Sequence, residues 1–580
     1  MLNQRRLPKR MVRLIIFLLL FLLLCLLYKS IGFYYRINDD TAMRKIATGF
    51  YNGIPDGHLI FIRYLYGILV AFMFKTFPAF DWYGIFFLGL SFLCYGLLIC
   101  RVFDLTEDCL YKLQIRIAYL LIIFITFFDS IILFQFTVVA GTVATTALFL
   151  LITYDNKQGP GEYILIWILY LIAALIRTRV FLMTLPIFSL AALNQLLKRL
   201  KEDMLNQKDK KKTFKAVLPF FLITAISLCL FYGISVIENY AYSDDDWKTY
   251  NEFKHYRSLI YDYYGWPPYE GNEEFWSELG ISKEEQACMG MFGILPDIDA
   301  EKLGQIAALS ANIYSKTETR IQLYRIWTLL VAAIQSVGCR EQHILLLAGI
   351  LWLVFRKTKA EGLEKFTILG FLLVQMSALI FLLYRGRLPD RIIIIYDFQC
   401  ILGALGFALV QLKEGRIPID SVKIKKMVGG CMLALLPLIL FVFKDTLNTV
   451  KSYNVSLETY EEYLDYLCEE PNNIYVACTG VVSSKKKFTL HQDREISTLG
   501  TAGWTCKSPF IEERMEQLGL DPDSDILLTD GVYFVTADLS NANLLDRYYQ
   551  SEKKTKAGYE IVDVVRLKES QYDIYVVKWL

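Results

Sequence analysis

Histidine is scarce in this chain. Among 580 residues there are four, His58, His255, His343 and His491, which argues against a His-ligated metal centre. The twelve cysteines make no CxxC pair and no His/Cys spacing of the kind that holds zinc. Most lie in apolar runs, as Cys25, Cys94, Cys229 and Cys431 do. Cys478 and Cys506, in the C-terminal part, pair only if that part lies in an oxidising compartment; two free thiols are the equal alternative. There is no internal repeat and no low-complexity tract. A net charge of +2 says nothing about partners; the distribution of charge along the chain is what informs. No nucleic-acid partner is expected.

Hydrophobic residues, by contrast, make up 55% of the chain and aromatic ones 15%. Apolar runs of about 20 residues recur, the length a helix needs to cross a hydrocarbon layer roughly 30 Å thick. They predict spans at residues 12–34, 61–77, 83–103, 115–134, 138–154, 163–176, 180–196, 216–237, 344–355, 366–384, 392–411 and 427–443. The expected fold class is a polytopic α-helical membrane protein with about 11–12 apolar helices and a C-terminal α/β domain. Four parts follow: an N-terminal transmembrane module over 1–237, an aromatic-rich insertion over 238–325, further transmembrane helices over 326–444, and the α/β domain over 445–580. In that last part helices are expected near 457–467 and 544–550, and strands at 474–477, 526–529, 532–536, 561–565 and 572–579.

Charge sets the orientation. The first run follows Arg5, Arg6, Lys9 and Arg10. It is too long for a signal-peptide core and no small-x-small cleavage site follows it. It is read as a retained helix with its basic end in the cytoplasm. Basic stretches at 198–215, 356–359 and 413–426 mark further cytoplasmic turns. Seven crossings before residue 198 would put that loop outside, so one run does not cross. The segment 61–77, which carries Arg63 and Lys75 after Pro55 and Gly57, is the one expected to fail. The C-terminal domain is then extracytoplasmic, together with Asp39, Asp40, Phe136 and Arg177.

Three constellations share that outer face. The first is Asn38-Asp39-Asp40, expected to be fully hydrated just beyond the first span. A carboxylate there can take the proton of an acceptor hydroxyl; the bland alternative is an N-cap, with Asp40 starting a helix at Thr41. Arg44 and the turn with Asp56 and His58 follow, His58 being read as a hydrogen-bonded structural residue. The second is Arg177 with Arg179, for which phosphate recognition and snorkelling to headgroups are both open. The third is Arg385, Arg387 and Arg391. Three arginines on an outer face run against the positive-inside bias, which phosphate binding explains; pairing with Asp390 or the acidic insertion is the alternative. Asp397, six residues into the next run, is an intramembrane acid and a site candidate for that reason. Trp247, Trp266 and Trp276 could stack on sugars, although a membrane-interface role is favoured.

The order of these features resembles the layout of GT-C glycosyltransferases. An acidic pair follows the first transmembrane helix. Then come a helix, the turn Gly53-Ile54-Pro55-Asp56-Gly57, an aromatic-apolar segment over 59–77, and a span ending at Arg101. The likeness is one of plan rather than of sequence. It implies an inverting membrane transferase with a polyprenyl-phosphate sugar as donor. The acceptor would be a hydroxyl on an extracytoplasmic glycan, lipid or protein. Asp39 or Asp40 would be the general base; Arg44, Arg177, Arg179, Arg385, Arg387 and Arg391 would hold the donor phosphate. Asp56, His58, Arg63, Asp129, Gln135 and Asp397 are further site candidates. Many members carry a second acid in the next outer loop. Here Asp129 sits inside an apolar run, so no cofactor is expected and a divalent metal is the open alternative. A transporter or flippase of lipid-linked sugars is the rival from another class. It would want polar residues along a midplane cavity and internal pseudo-symmetry. A non-catalytic envelope scaffold is the third reading.

Overall fold

A computed structural model describes residues 8–580 except 110–111, 156–158, 206–209, 292–294, 296, 318, 337–339, 358–361, 417–420, 471–472, 478–485, 491–498, 501–502, 553, 555–557 and 568–572. Cys478 and His491 lie outside the described residues.

The N-terminal module starts with α1 (Lys9–Ser30) and the two-residue strand β1 (Tyr34–Tyr35). Next come α2 (Asn38–Thr48), α3 (Tyr64–Thr76), α4 (Trp82–Leu105) and α5 (Lys112–Ile132). Strand β2 (Leu133–Phe134) leads into α6 (Phe136–Ile152), followed by α7 (Pro160–Ile176), α8 (Thr178–Leu205) and α9 (Lys210–Ala241). At 13 residues, α3 is about 20 Å long, short of a hydrocarbon layer. Its N-cap residue, Arg63, gives its backbone N–H to Leu175 O of α7.

At the centre of the bundle α6 is buried along its whole length. It has no polar face to give to water, as its sequence is apolar all round. Its neighbour α17 (Asp390–Lys413) is nearly as enclosed. The two approach closely at Gly141, where a Cβ would come within 2.4 Å of the Ile395 side chain; a small residue permits that contact. Around them α1 and α9 present mostly exposed apolar surface. Among the described residues, eight helices are long and apolar enough to cross a membrane, and five shorter apolar helices accompany them. The chain is an integral membrane protein of helical class, with its larger sheet in the C-terminal region.

The insertion is helical: α10 (Asp245–Leu259), a π-helical turn at Ile260–Tyr264, α11 (Glu273–Glu278), α12 (Lys283–Cys288) and α13 (Ala300–Ser315). Trp276 is wholly buried and gives its Nε1–H to Pro268 O. Trp247 is buried as well, stacked on His58 with ring centres 4.6 Å apart. Neither is placed to stack on a sugar or to line a membrane interface; both are core. After the insertion come α14 (Thr319–Ser336), α15 (Arg340–Lys357) and α16 (Gly362–Tyr384), ahead of α17.

A break was expected near residue 445. Instead α18 (Ser421–Glu469) runs 49 residues from the apolar bundle into the C-terminal domain. The helix expected at 457–467 is its end. No Gly or Pro lies between 438 and 469, so the change from apolar to polar has nothing to interrupt it. The domain sheet has the order β5-β3-β6-β8-β7. Its strands are β3 (Ile474–Ala477), β5 (Leu499–Gly500), β6 (Val532–Thr536), β7 (Tyr559–Val565) and β8 (Ile574–Trp579). β3 lies parallel to β5 and β6, and β8 antiparallel to β6 and β7. Residues 526–528, expected as a strand, form a 3-10 turn that buries Ile526 and Leu527. Helices α19 (Pro509–Gln517) and α20 (Leu539–Ser551) complete it. Cys506 is buried with no disulfide.

A second, small sheet joins the parts. Its strand β4 (Lys486–Lys487) comes from the C-terminal domain and pairs antiparallel to β1, while β2 pairs parallel to β1 on the other side.

Candidate functional site

The small sheet aims the acidic pair. β1 is fixed between β2 and β4, and Arg36 N–H continues the ladder to Phe134 O. The chain passes Ile37 in extended conformation and enters α2, with Asp39 and Asp40 in its first turn. Carboxylates are favoured there by the helix dipole. Neither caps its own helix: the N-cap is Ile37.

Asp40 was expected in water and is instead fully buried. Its Oδ1 accepts from Tyr83 Oη–H at 2.9 Å and from Phe136 N–H at 3.1 Å. Phe136 is the first residue of α6, and the amides of a helix's first turn have no partner within the helix. Asp40 thus caps α6, a different helix from its own. Burial pushes its carboxyl up to about 8, although the bonds from Tyr83 and Phe136 work against the rise. At neutral pH it carries a proton. Asp39 is only partly buried, and its Oδ1 accepts from Trp504 Nε1–H at 2.9 Å. Trp504 belongs to the C-terminal domain. Its ring meets Phe61 edge-on at 4.7 Å, and its carbonyl accepts from Tyr250 Oη–H in the insertion.

Across from the pair is a group of cations. Arg177, just past the end of α7, gives Nη1–H to Phe61 O at 3.0 Å and faces the rings of Phe61 and Phe136. Burial lowers its pKa to about 9. The nearby Arg179, Arg391 and Arg387 add to that, and Asp39 opposes it. Asp40 also feels Arg391. Lys254, on α10, is pulled down to about 8 by burial and by Arg179 and Arg177. One field therefore includes Asp39, Arg177, Arg179, Arg387, Arg391 and Lys254. Arg387 is paired with Asp262 at 2.5 Å, and Arg385 is exposed over the Tyr263 ring. The pairing of the arginine loop with the insertion is thus partly realised.

Other candidates are engaged elsewhere. Arg44 is fully buried, with its Nε 2.8 Å from Asp81 Oδ2, which also accepts from Tyr35 Oη–H. That removes it from the donor-phosphate set. Arg63 binds Thr178 Oγ1 and lies 4.0 Å from Glu238. Asp56 holds His58 Nδ1 at 2.6 Å while His58 Nε2 meets Ala241 O, a structural bridge. Burial opposes the charged imidazole, but Asp56 outweighs it and raises the His58 pKa. Asp129 pairs with Arg36 at 2.6 Å. Asp397 accepts from Gln375 at 2.8 Å and has His343 Nδ1 3.5 Å away. Gln135, buried between β2 and α6, has no partner for its Nε2 among the described residues.

Among the described residues no group of three or more His, Cys, Asp or Glu could hold a metal ion. Sequence reasoning missed Lys254, Trp504 and Tyr83. Lys254 had a signal, its position four residues after Tyr250 in an insertion read for its aromatics and its acidic run; Trp504 had none.

No family model matches this chain, and no curated protein does. Among solved structures it is similar to two crystal structures of ArnT from Cupriavidus metallidurans. One, bound to undecaprenyl phosphate, is 10% identical with a TM-score of 0.34, covering 98% of this chain and 97% of that one. The other, in the apo state, is 11% identical with a TM-score of 0.35, covering 98% of each.

Proposed function

We propose that this protein is a membrane glycosyltransferase of the GT-C kind. It moves a sugar from a polyprenyl-phosphate donor to an acceptor hydroxyl outside the cytoplasm. The observation that carries this reading is a carboxylate, Asp39, that acts on Arg177 and Arg391, with Arg179 and Lys254 beside Arg177. Such a site suits a reaction that makes a phosphate anion and consumes a proton-bearing nucleophile.

In this mechanism Asp39 takes the acceptor O–H proton as the oxygen attacks the anomeric carbon. The bond from that carbon to the phosphate oxygen breaks, and its electron pair leaves with the polyprenyl phosphate. The cations stabilise that charge, arginine being suited to bidentate phosphate contact. Attack opposite the leaving group inverts the anomeric centre. Asp40 is neutral and structural here, which narrows the base from the pair to Asp39. Trp504 fixes the rotamer of the base. The basic ends of α8 and α17 lie at the other end of the bundle, which supports an extracytoplasmic position for this one.

The test incubates the purified full chain with a panel of polyprenyl-phosphate sugars and reads product mass. Transfer that disappears with Asp39→Asn and survives Asp40→Asn supports the reading. Transfer that survives both changes removes the base. Flux of a lipid-linked sugar without consumption of the donor points to a transporter.

A further inference from the structure

His58 stands three residues before Phe61, whose carbonyl holds Arg177. Its ring lies between two oxygens. Nδ1 is 2.6 Å from Asp56 Oδ1, and Nε2 is 3.0 Å from Ala241 O. A carboxylate and a carbonyl only accept, and only the doubly protonated imidazole donates from both nitrogens. Ala241 is the last residue of α9, where carbonyls lack partners within the helix and a cation is favoured. The Trp247 ring lies flat on His58, and such a face is electron-rich. Glu238, near the end of α9, is a second carboxylate that acts on His58, and Arg63 lies 4.0 Å from Glu238. The rings of Tyr64 and Tyr242 close the other sides, at 4.5 and 4.9 Å. Burial opposes the imidazolium, but Asp56 outweighs it and holds the pKa above the ordinary 6.5.

The backbone between His58 and Phe61 is bent hard. Ile60 has a φ of 65°, a region that a β-branched residue enters only when its surroundings force it. The Ile60 N–H reaches Tyr242 Oη at 3.3 Å, and Phe61 N–H bonds back to Leu59 O at 2.7 Å. Tyr242 directly follows Ala241, so His58 and Ile60 are tied to the same end of α9. Phe61 O then accepts from Arg177 Nη1–H, and the Phe61 ring meets Trp504, the partner of Asp39.

We infer that His58 is a positioning residue: as imidazolium it pins the bent turn to α9, and the turn sets Arg177 for the donor phosphate. Asp56 keeps the Nδ1 proton, so deprotonation strips Nε2 and leaves a lone pair facing Ala241 O. The turn is then released, and Arg177 loses its fixed place. The donor role of Arg177 rests on the sugar-transfer reading, but capture of a polyprenyl phosphate is measurable without transfer.

The test begins with the full chain labelled with nitrogen-15 histidine; the ring signals missing from His58→Gln are those of His58. At about pH 6 they show the imidazolium pattern, and they turn neutral as pH rises. Decaprenyl phosphate is then titrated into wild type and His58→Gln by calorimetry across the same range. The probe and Lys254 titrate alike in both chains, so the ratio of the two Kd values isolates His58. At low pH wild type binds about fivefold tighter, the low end of a coupling between two sites. The ratio falls to one as His58 loses its proton. Asp56→Asn lowers the midpoint of one histidine and of the Kd profile together, and it decides the matter if His58→Gln misfolds. A neutral His58 at about pH 6 overturns the inference. So does a Kd ratio that stays flat through the titration, and so does failure to bind decaprenyl phosphate. Binding that follows His58 in a chain that transfers no sugar keeps the inference and removes only the sugar-transfer reading.

Discussion

On the proposed mechanism, two neighbouring carboxylates do different work because their surroundings differ. Asp39 meets one indole N–H and partial solvent; Asp40 meets a phenol, a helix N-terminal amide and no water. Asp39→Asn should lower sugar transfer by about 10²- to 10⁴-fold, the usual contribution of a general base, read in the same donor assay. Asp40→Asn keeps the acceptor oxygen that Tyr83 and Phe136 need and should retain most activity. Asp40→Ala strands both donors and should cost about 2–4 kcal/mol of stability, seen in thermal unfolding. The Asp40 carboxyl titrates from 3.8 in the open chain to about 8 when folded. Its folded pKa is raised, so its contribution to stability is fully present at low pH. It is lost as pH rises from about 4 towards 8. Asp40→Asn should flatten stability across that window. Lys254 gives a second pH signal. It is charged below about 8, and a bound phosphate favours the charged form. Donor affinity should therefore fall as pH rises through about 8, and Lys254→Arg, which stays charged, should remove that limb of the KM profile. The sequence made the acidic pair and the arginines visible, because charge beside an apolar run is a local pattern. The burial of Asp40 was not visible, because it depends on Tyr83 and Phe136, 43 and 96 residues away.

At the scale of elements, three segments meet at the indole of Trp504. Replacing Trp504 by Phe keeps the ring against Phe61 and removes the N–H to Asp39. Donor KM should hold while kcat drops about tenfold, near the worth of one hydrogen bond to a charged group; steady-state kinetics checks it. Helix α3 is set by a tighter contact. A Cβ on Gly67 would fall 2.0 Å from the carbonyl oxygen of Gly57, backbone that cannot swing aside. Gly67→Ala should lower the unfolding temperature and disturb the turn that carries His58. Most of the helices were legible from apolar run length. The continuity of α18 was not, because a polarity change resembles a domain boundary although the helix has no breaker there. The turn at 526–528 was not legible either: a short apolar run reads equally as strand or turn.

On the proposed topology Asp39 and the C-terminal domain lie on one side of the bilayer and the basic ends of α8 and α17 on the other. A membrane-impermeant maleimide should label Ser540→Cys in intact cells and leave Lys413→Cys unlabelled until the membrane is opened; the reverse pattern inverts the topology. The small sheet has a consequence in time. Its strands are separated by as much as the span from Tyr34 to Lys487, and the indole that steadies the base is further on still. At roughly 5–20 residues per second of synthesis, the ribosome delivers the acidic pair tens of seconds before the last strand and the indole. On the proposed mechanism, a nascent chain already threaded into the bilayer holds the cations meant for the donor and an unsteadied base. On that mechanism catalytic competence arrives only near termination, and a prematurely released fragment is expected to be inert.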